Sequence, residues 1–490
     1  MSRFTRPALR RARLILVALL AVATPPLAAR QALDRAKVPA PAPPPVLRVP
    51  AWTKATLANG ADLIVSEKSD LPLVSLTITF LGGANQFEPA DRRGVGSLTA
   101  AMLSEGTTTR TGDALSNALQ LLGTEVSASV GGESAAIRFV ATTTKFGPTL
   151  DILADMLLHP AFPADALERL RGQRLVALAE ARAEPDAIAA RVFPRLLYGP
   201  AHPFGQPVTE ETVKAISRDD VIAFHQKVFK PGRALITVVG AMKPVEAKAV
   251  VDRALAAWPS GGEKPAFSYP TLPAPSPTTI YLVDKPGAAQ STFALGNPGP
   301  PRNTPDYYAL DVMNTILGGQ FQSRLNANIR EEKGYSYGVG SGFAFGKGPG
   351  PFRTGGDIVS GKSDAALVEF MKELKGIEGT RPVTDEELAT AKDAIVQRLP
   401  SMFASVGGIN GAISSLWVEG LPDDYYQQYG KAIAAVTKDD VVRVARKYID
   451  LDHLAIVIVG DRATIEQPLA ATKIAPIVTT DIEGKRVGEK

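Results

Sequence analysis

Alternating and helically spaced apolar positions divide the chain into elements from residue 52 onward. TLANGADLIV (56–65) sets Asn59-Gly60 between two alternating runs, the pattern of a β-hairpin. LVSLTITFL (73–81) predicts a strand, and EVSASVGGESAAIRFVAT (125–142) a second hairpin turning at Gly131-Gly132. Helical spacing follows at about 146–158, 164–197 and 218–229, and ALITVVG (234–240) predicts a buried strand. In GVGSLTAAMLSEGT (94–107), Val95, Leu98 and Met102 recur on one helical face, with Ser97, Ala100 and Ala101 beside them at i, i+3 and i+4.

The chain then repeats itself. SRDDVIAFHQKVFKPGRALITVVG (217–240) lies over TKDDVVRVARKYIDLDHLAIVIVG (437–460), with Asp219/Asp439, Asp220/Asp440, Val221/Val441, Lys227/Lys447, Ile236/Ile456, Val239/Val459 and Gly240/Gly460 coinciding. Both copies read as a Ser or Thr cap, acids in the first turn, an amphipathic helix and a buried strand. The same order of elements precedes each copy, which implies duplication. The expected fold is α+β: two homologous halves, each an antiparallel-rich sheet with helices packed on it, arranged as a clamshell. The expected boundaries are 51–259 for the first half, a Pro/Gly/Ser-rich linker at 260–278, and 279–490 for the second.

Composition changes the picture chiefly at the N-terminus. MSRFTRPALRRAR carries five arginines and no acid, LILVALLAVA is apolar, and Ala21-Val22-Ala23 and Leu27-Ala28-Ala29 are small-residue cleavage sites. Residues 1–29 therefore read as a secretory signal peptide rather than a stable membrane span, and 30–50, including VPAPAPPPVLRVP, as a proline-rich spacer. Of the 54 basic residues five lie in 1–29, where none of the 50 acidic ones does, so the remainder carries a balance of −1 and gives no argument for nucleic acid. There is no cysteine, which excludes disulfides, thiolate metal sites and cysteine nucleophiles. A periplasmic location is expected.

Three stretches carry a family resemblance: LGGANQFEPADRRGVGSLTAAMLSEGT (81–107), YGPAHPFGQP (198–207) and SRLNANIREEKGYSYGVGSGF (323–343). With the duplication, they resemble the pitrilysin/insulinase family of zinc peptidases, particularly its periplasmic and processing-peptidase-like members. In active members the first helix carries His-x-x-Glu-His, two zinc ligands and a water-activating glutamate, and a later glutamate completes the site. By position those places are Ser97, Ala100 and Ala101, with the later glutamate at Glu180 in LVALAEARAE. Alanine has no donor atom and serine is a poor zinc ligand. His159, His202, His225 and His453 have no ligand spacing among them. No metal and no catalytic residue is expected in this chain, and Glu180 reads equally as a solvated helix carboxylate.

The resemblance also implies a substrate-binding pair from the second half, an arginine and a tyrosine seven residues later, which picks out Arg330 and Tyr337 in REEKGYSY. Their implied role is to hold the peptide backbone and donate to the scissile carbonyl oxygen. The alternative from residue types alone is an Arg330 paired with Glu331 or Glu332 and a Tyr337 packed at a strand start. The resemblance implies a non-catalytic subunit of a periplasmic zinc peptidase heterocomplex, with zinc in a His-x-x-Glu-His partner and peptides as substrate. Alone the chain is expected to be inactive. The competing reading is a non-enzymatic peptide-binding or assembly scaffold with the same fold.

Three further signals carry less. GDIVSGKS (356–363) fits the phosphate-loop pattern, yet Asp357-Ile358-Val359 reads as a continuing strand and Gly361-Lys362-Ser363 as a helix start. The glycine-dense GVGSGFAFGKGPGPF (338–352) reads as strand, turn, strand with bulges. Ser97 lacks the flanking glycines of a nucleophile elbow.

Overall fold

In the computed structural model residues 47–488 are described; the expected signal peptide and most of the proline-rich spacer lie outside them. The first half builds strands β1 (Thr53–Thr56), β2 (Asp62–Glu67), β3 (Leu73–Leu81), β4 (Ser127–Val130), β5 (Ser134–Thr142) and β6 (Ala234–Gly240). The second builds β7 (Thr279–Asp284), β8 (Gln290–Pro298), β9 (Ser336–Phe343), β10 (Pro351–Val359), β11 (Ala455–Gly460) and β12 (Ile477–Thr480). These form two six-stranded sheets, ordered β1-β2-β6-β3-β5-β4 and β12-β7-β11-β8-β10-β9. Apart from the outermost strands β1 and β12, the second order repeats the first strand for strand.

The pairing is mostly antiparallel, with β2 parallel to β6 and β7 parallel to both β11 and β12. The repeat fails at one edge: β1 enters from a hairpin and runs antiparallel to β2, whereas β12 comes from the far end of the second half. The aligned segments fold alike. Ser217 and Asp220 form a capping box on the helix Arg218–Val228, and Thr437 and Asp440 form one on Lys438–Tyr448.

The expected helical run at 164–197 is two helices, Ala164–Ala181 and Pro185–Tyr198. Pro185 lacks an amide hydrogen and biases Glu184 towards extended backbone (ψ 120°), so the first helix stops and a new one starts at the proline.

That break has a tertiary consequence. Pro185–Tyr198 leaves its own half and packs on β8 and β11 of the second sheet, burying Ile188, Val192, Phe193, Leu197 and Tyr198 against Tyr281, Val283, Ala294 and Val457. In return, Val406–Glu419 packs on β3 and β6 of the first sheet. Buried Asn410 fastens that helix, its amide donating to the carbonyls of Ser75 (3.3 Å) and Thr237 (3.0 Å).

Each sheet is thus covered on both faces near its centre, which explains why β6 and β11 read as unbroken apolar runs. Burying each large apolar side chain stabilises by about 1.5–3 kcal/mol. The halves behave as one compact unit.

The exchanged helices stop short of the outer strands. The β3–β5–β4 region and Val406–Glu419 enclose a cleft of about 730 Å³, and β9–β10 with Pro185–Tyr198 enclose one of about 670 Å³. A clasp joins the two hairpin ends: Glu133, after β4, accepts the amides of Lys347 (2.7 Å) and Gly348 (3.0 Å) between β9 and β10, and the Tyr269 hydroxyl of the linker donates to it as well.

Candidate functional site

The helix Val95–Met102 lies beside edge strand β4. Gly94 starts it from a left-handed conformation (φ 98°), which glycine adopts without strain. Its first amides are satisfied by Glu88, whose carboxylate accepts from Gly94 (3.0 Å) and Gly96 (2.7 Å). Arg93, buried with Glu88 at 3.7 Å, donates to the carbonyls of Ala84 and Pro203 and to the Gln206 side chain. This links LGGANQFEPADRRG to the AHPFGQP turn. A side chain at Gly96 would meet Phe224 and Val130 at 2.8 Å. Neither Glu88 nor Arg93 was singled out from the sequence, although both stand in the stretch that carries the resemblance.

Val95, Leu98 and Met102 are buried as their spacing predicts, and Ser97 is exposed. Ala100 is only 4% exposed and Ala101 half-buried, so the three positions do not share one open face. The Ser97 hydroxyl donates back to the Gly94 carbonyl at 2.9 Å. Glu180 is exposed near the end of Ala164–Ala181. That helix runs against the first one, with the Arg169–Glu105 ion pair (2.5 Å) at one end and Leu178 with Val208 near Gly94 at the other. One hydroxyl turned to its own backbone, two methyl groups and one exposed carboxylate do not make a zinc donor set. Among the described residues no group of three or more His, Asp or Glu is placed to hold a metal.

The stretch beside the other edge strand, β9, is built differently. Asn326–Glu332 is a π-helix, a wide turn that accommodates an extra residue. Its Arg330 guanidinium lies 4.5 Å above the Phe321 ring, and its Nε is 3.2 Å from Glu331. The Glu331 partner expected from residue types is therefore present.

Tyr337 corrects the other part of that alternative: it does not pack, and at 88% exposure it stands out from the start of β9. Its backbone is held from both sides. The Ser336 hydroxyl donates to the Asp357 carbonyl (2.6 Å), and the Tyr335 amide to Ile329 (3.0 Å). Buried Asn326 ties the pieces together, donating to the Phe321 carbonyl (2.8 Å) and accepting the Val339 amide (3.3 Å). Phe321, 59% exposed, and Asn326 are members of this arrangement that spacing does not pick out; an exposed aromatic before the motif was the available signal.

The remaining candidates settle into structure. GDIVSGKS is the end of β10, a 3₁₀ turn and the start of the helix Ser363–Lys375, as the strand reading predicts. The glycine-dense stretch is β9, a turn and β10, with a register shift between Gly356 and Ile358. His202 is buried between Tyr198 and Tyr269, and burial pushes its pKa down.

The pattern of the insulinase family (peptidase family M16) matches residues 63–199, and that of the peptidase M16 inactive domain matches 215–395. The chain belongs to the insulinase family. Its relatives include an uncharacterised zinc protease of Bacillus subtilis, 24% identical over 73% of this chain and 85% of that one. Another, from Streptomyces coelicolor, is 26% identical over 70% of this chain and 76% of that protein.

Among solved structures, a peptidase M16 inactive domain from Pseudomonas fluorescens superposes with a TM-score of 0.76 at 27% identity, covering 84% of this chain and 98% of that one. A protease from Helicobacter pylori shares the fold with the same TM-score at 17% identity, covering 84% of this chain and 100% of that one. In this insulinase-family chain the family segment 81–107 lies beside edge strand β4 of one sheet, and 323–343 runs into edge strand β9 of the other.

Proposed function

We propose that this chain is the non-catalytic, substrate-holding subunit of a two-chain zinc peptidase of the insulinase family, working in the periplasm. The observation that carries the reading is the contrast between the two edge-strand sites. Positions 97, 100 and 101 offer no metal donor set, while Arg330 is partly exposed and Tyr337 stands out into solvent at the start of edge strand β9. A guanidinium and a phenol so placed suit hydrogen bonding to a peptide carbonyl. A partner of the same family would bring the zinc.

The test is peptidase activity in material co-purified with the tagged chain from its native periplasm. Chelator-sensitive cleavage, lost in Arg330→Ala while the complex still assembles, is the expected result. Recovery of the chain alone, inert with added zinc, overturns the reading. It would favour a binding or assembly scaffold, for which the Arg330–Glu331 pair and the Phe321 stack already give the arginine a structural role.

A further inference from the structure

A cavity of about 300 Å³ lies where the end of Ala164–Ala181, the helix Pro185–Tyr198 and the 208–211 turn meet, near the start of Val95–Met102. Arg182, Arg191 and Arg195 converge on it. The first two hold one carboxylate, Glu483, at 3.4 Å and 3.0 Å. Glu483 comes from the 481–488 segment after β12, which crosses over from the second half and lays Gly484 against Val192 and Arg195.

Arg195 has no hydrogen-bond or ion-pair partner for its guanidinium among the described residues. Two further acids share the rim: Glu210 pairs with Lys214 (3.1 Å), and Glu211 is held low chiefly by its own backbone amide and the Thr209 side chain, with smaller shares from Lys214 and Arg182. Lys485 adds another positive charge to the lining. The turn bearing Glu483 is held independently of the arginines, since the Asp481 carboxylate accepts the amides of Glu483 and Lys485, both at 2.9 Å.

Three guanidiniums line this cavity, two of them holding Glu483 and the third, Arg195, uncommitted, which gives the cavity more arginine than one ion pair uses. Guanidinium–carboxylate pairing is directional and charge-assisted, so a cluster of arginines favours this ligand chemistry over neutral or cationic groups. The volume suits an acidic side chain or a peptide terminus. We propose that this cavity is a carboxylate-binding site for acidic peptides, and that Glu483 occupies it as a built-in competitor. The inference needs neither the zinc partner nor the Arg330/Tyr337 reading, and its test is binding to this chain alone.

The probe is a fluorescein-labelled glycine-serine peptide ending in three glutamates, read by anisotropy, with a three-lysine peptide of equal length as control. Removing the competing carboxylate with Glu483→Gln should tighten acidic-probe binding by about tenfold or more, the scale of a charge-assisted contact. Adding Arg195→Met should reverse that gain, while Arg195→Met alone leaves the melting temperature unmoved because it breaks no internal pair. Glu483→Ser serves as a second release variant with the Asp481 turn intact. Unchanged acidic-probe affinity in both release variants, a gain that survives Arg195→Met, or an equal gain for the lysine peptide would each overturn the proposal.

Discussion

The segments beside the two edge strands, one in each half, use their polar atoms in opposite ways. At Val95–Met102 the polar groups turn inward: Glu88 caps the helix, Arg93 binds the neighbouring turn, and Ser97 bonds its own backbone. At 326–337 the inward work falls to Asn326 and Ser336, which leaves Arg330 partly exposed and Tyr337 almost wholly so. One segment serves as a stability element, while the other keeps side chains that contribute little to holding the fold. Duplication permits this division, because each half retains its own sheet and capped helix.

The contrast is easiest to break at Glu88. Glu88→Ala strips two buried helix amides of their acceptor and leaves Arg93 without its counter-charge, so a loss of about 3–5 kcal/mol is expected in urea unfolding. A loss below about 1 kcal/mol would mean that the first segment is not the stability element described. Leu98→Ala, which removes a buried side chain from the same helix, should cost about 2–4 kcal/mol by the same assay.

Acid stability sharpens the comparison from the second half. Arg443, Lys447 and the Tyr448 hydroxyl all bind Asp306, and these contacts outweigh its desolvation, drawing its pKa down to about 2. A depressed carboxylate stabilises the fold above its unfolded pKa of 3.8, and the benefit fades as pH falls through that value towards 2. Asp306→Asn should therefore lower stability by about 1 kcal/mol at neutral pH, after allowance for solvent screening, and flatten the decline between pH 4 and 2. Unchanged acid unfolding curves would remove Asp306 as the source.

The smallest effect is expected at the second site itself. Tyr337→Ala should shift stability by no more than about 0.5 kcal/mol, and thermal melts of that variant against Leu98→Ala measure the contrast directly. A drop comparable to that of Leu98→Ala would return Tyr337 to a packing role.

Much of this was determined locally, within a few residues of sequence. Strand alternation, the Asn59-Gly60 and Gly131-Gly132 turns, and the paired capping boxes at Ser217 and Thr437 depend on near neighbours, so their residues announce them. The lack of zinc donors at 97, 100 and 101 is likewise a property of residue identity. Distant contacts decided the rest. No periodicity says that Pro185–Tyr198 and Val406–Glu419 trade sheets, because amphipathic helices bury their apolar faces equally well against any matching surface. Ala100 is covered, Tyr337 is bare and Glu483 reaches two arginines of the other half only because the folded chain brings those segments together or holds them apart. Sequence set the chemistry each position could offer; packing decided which of it faces inward and which remains free to bind.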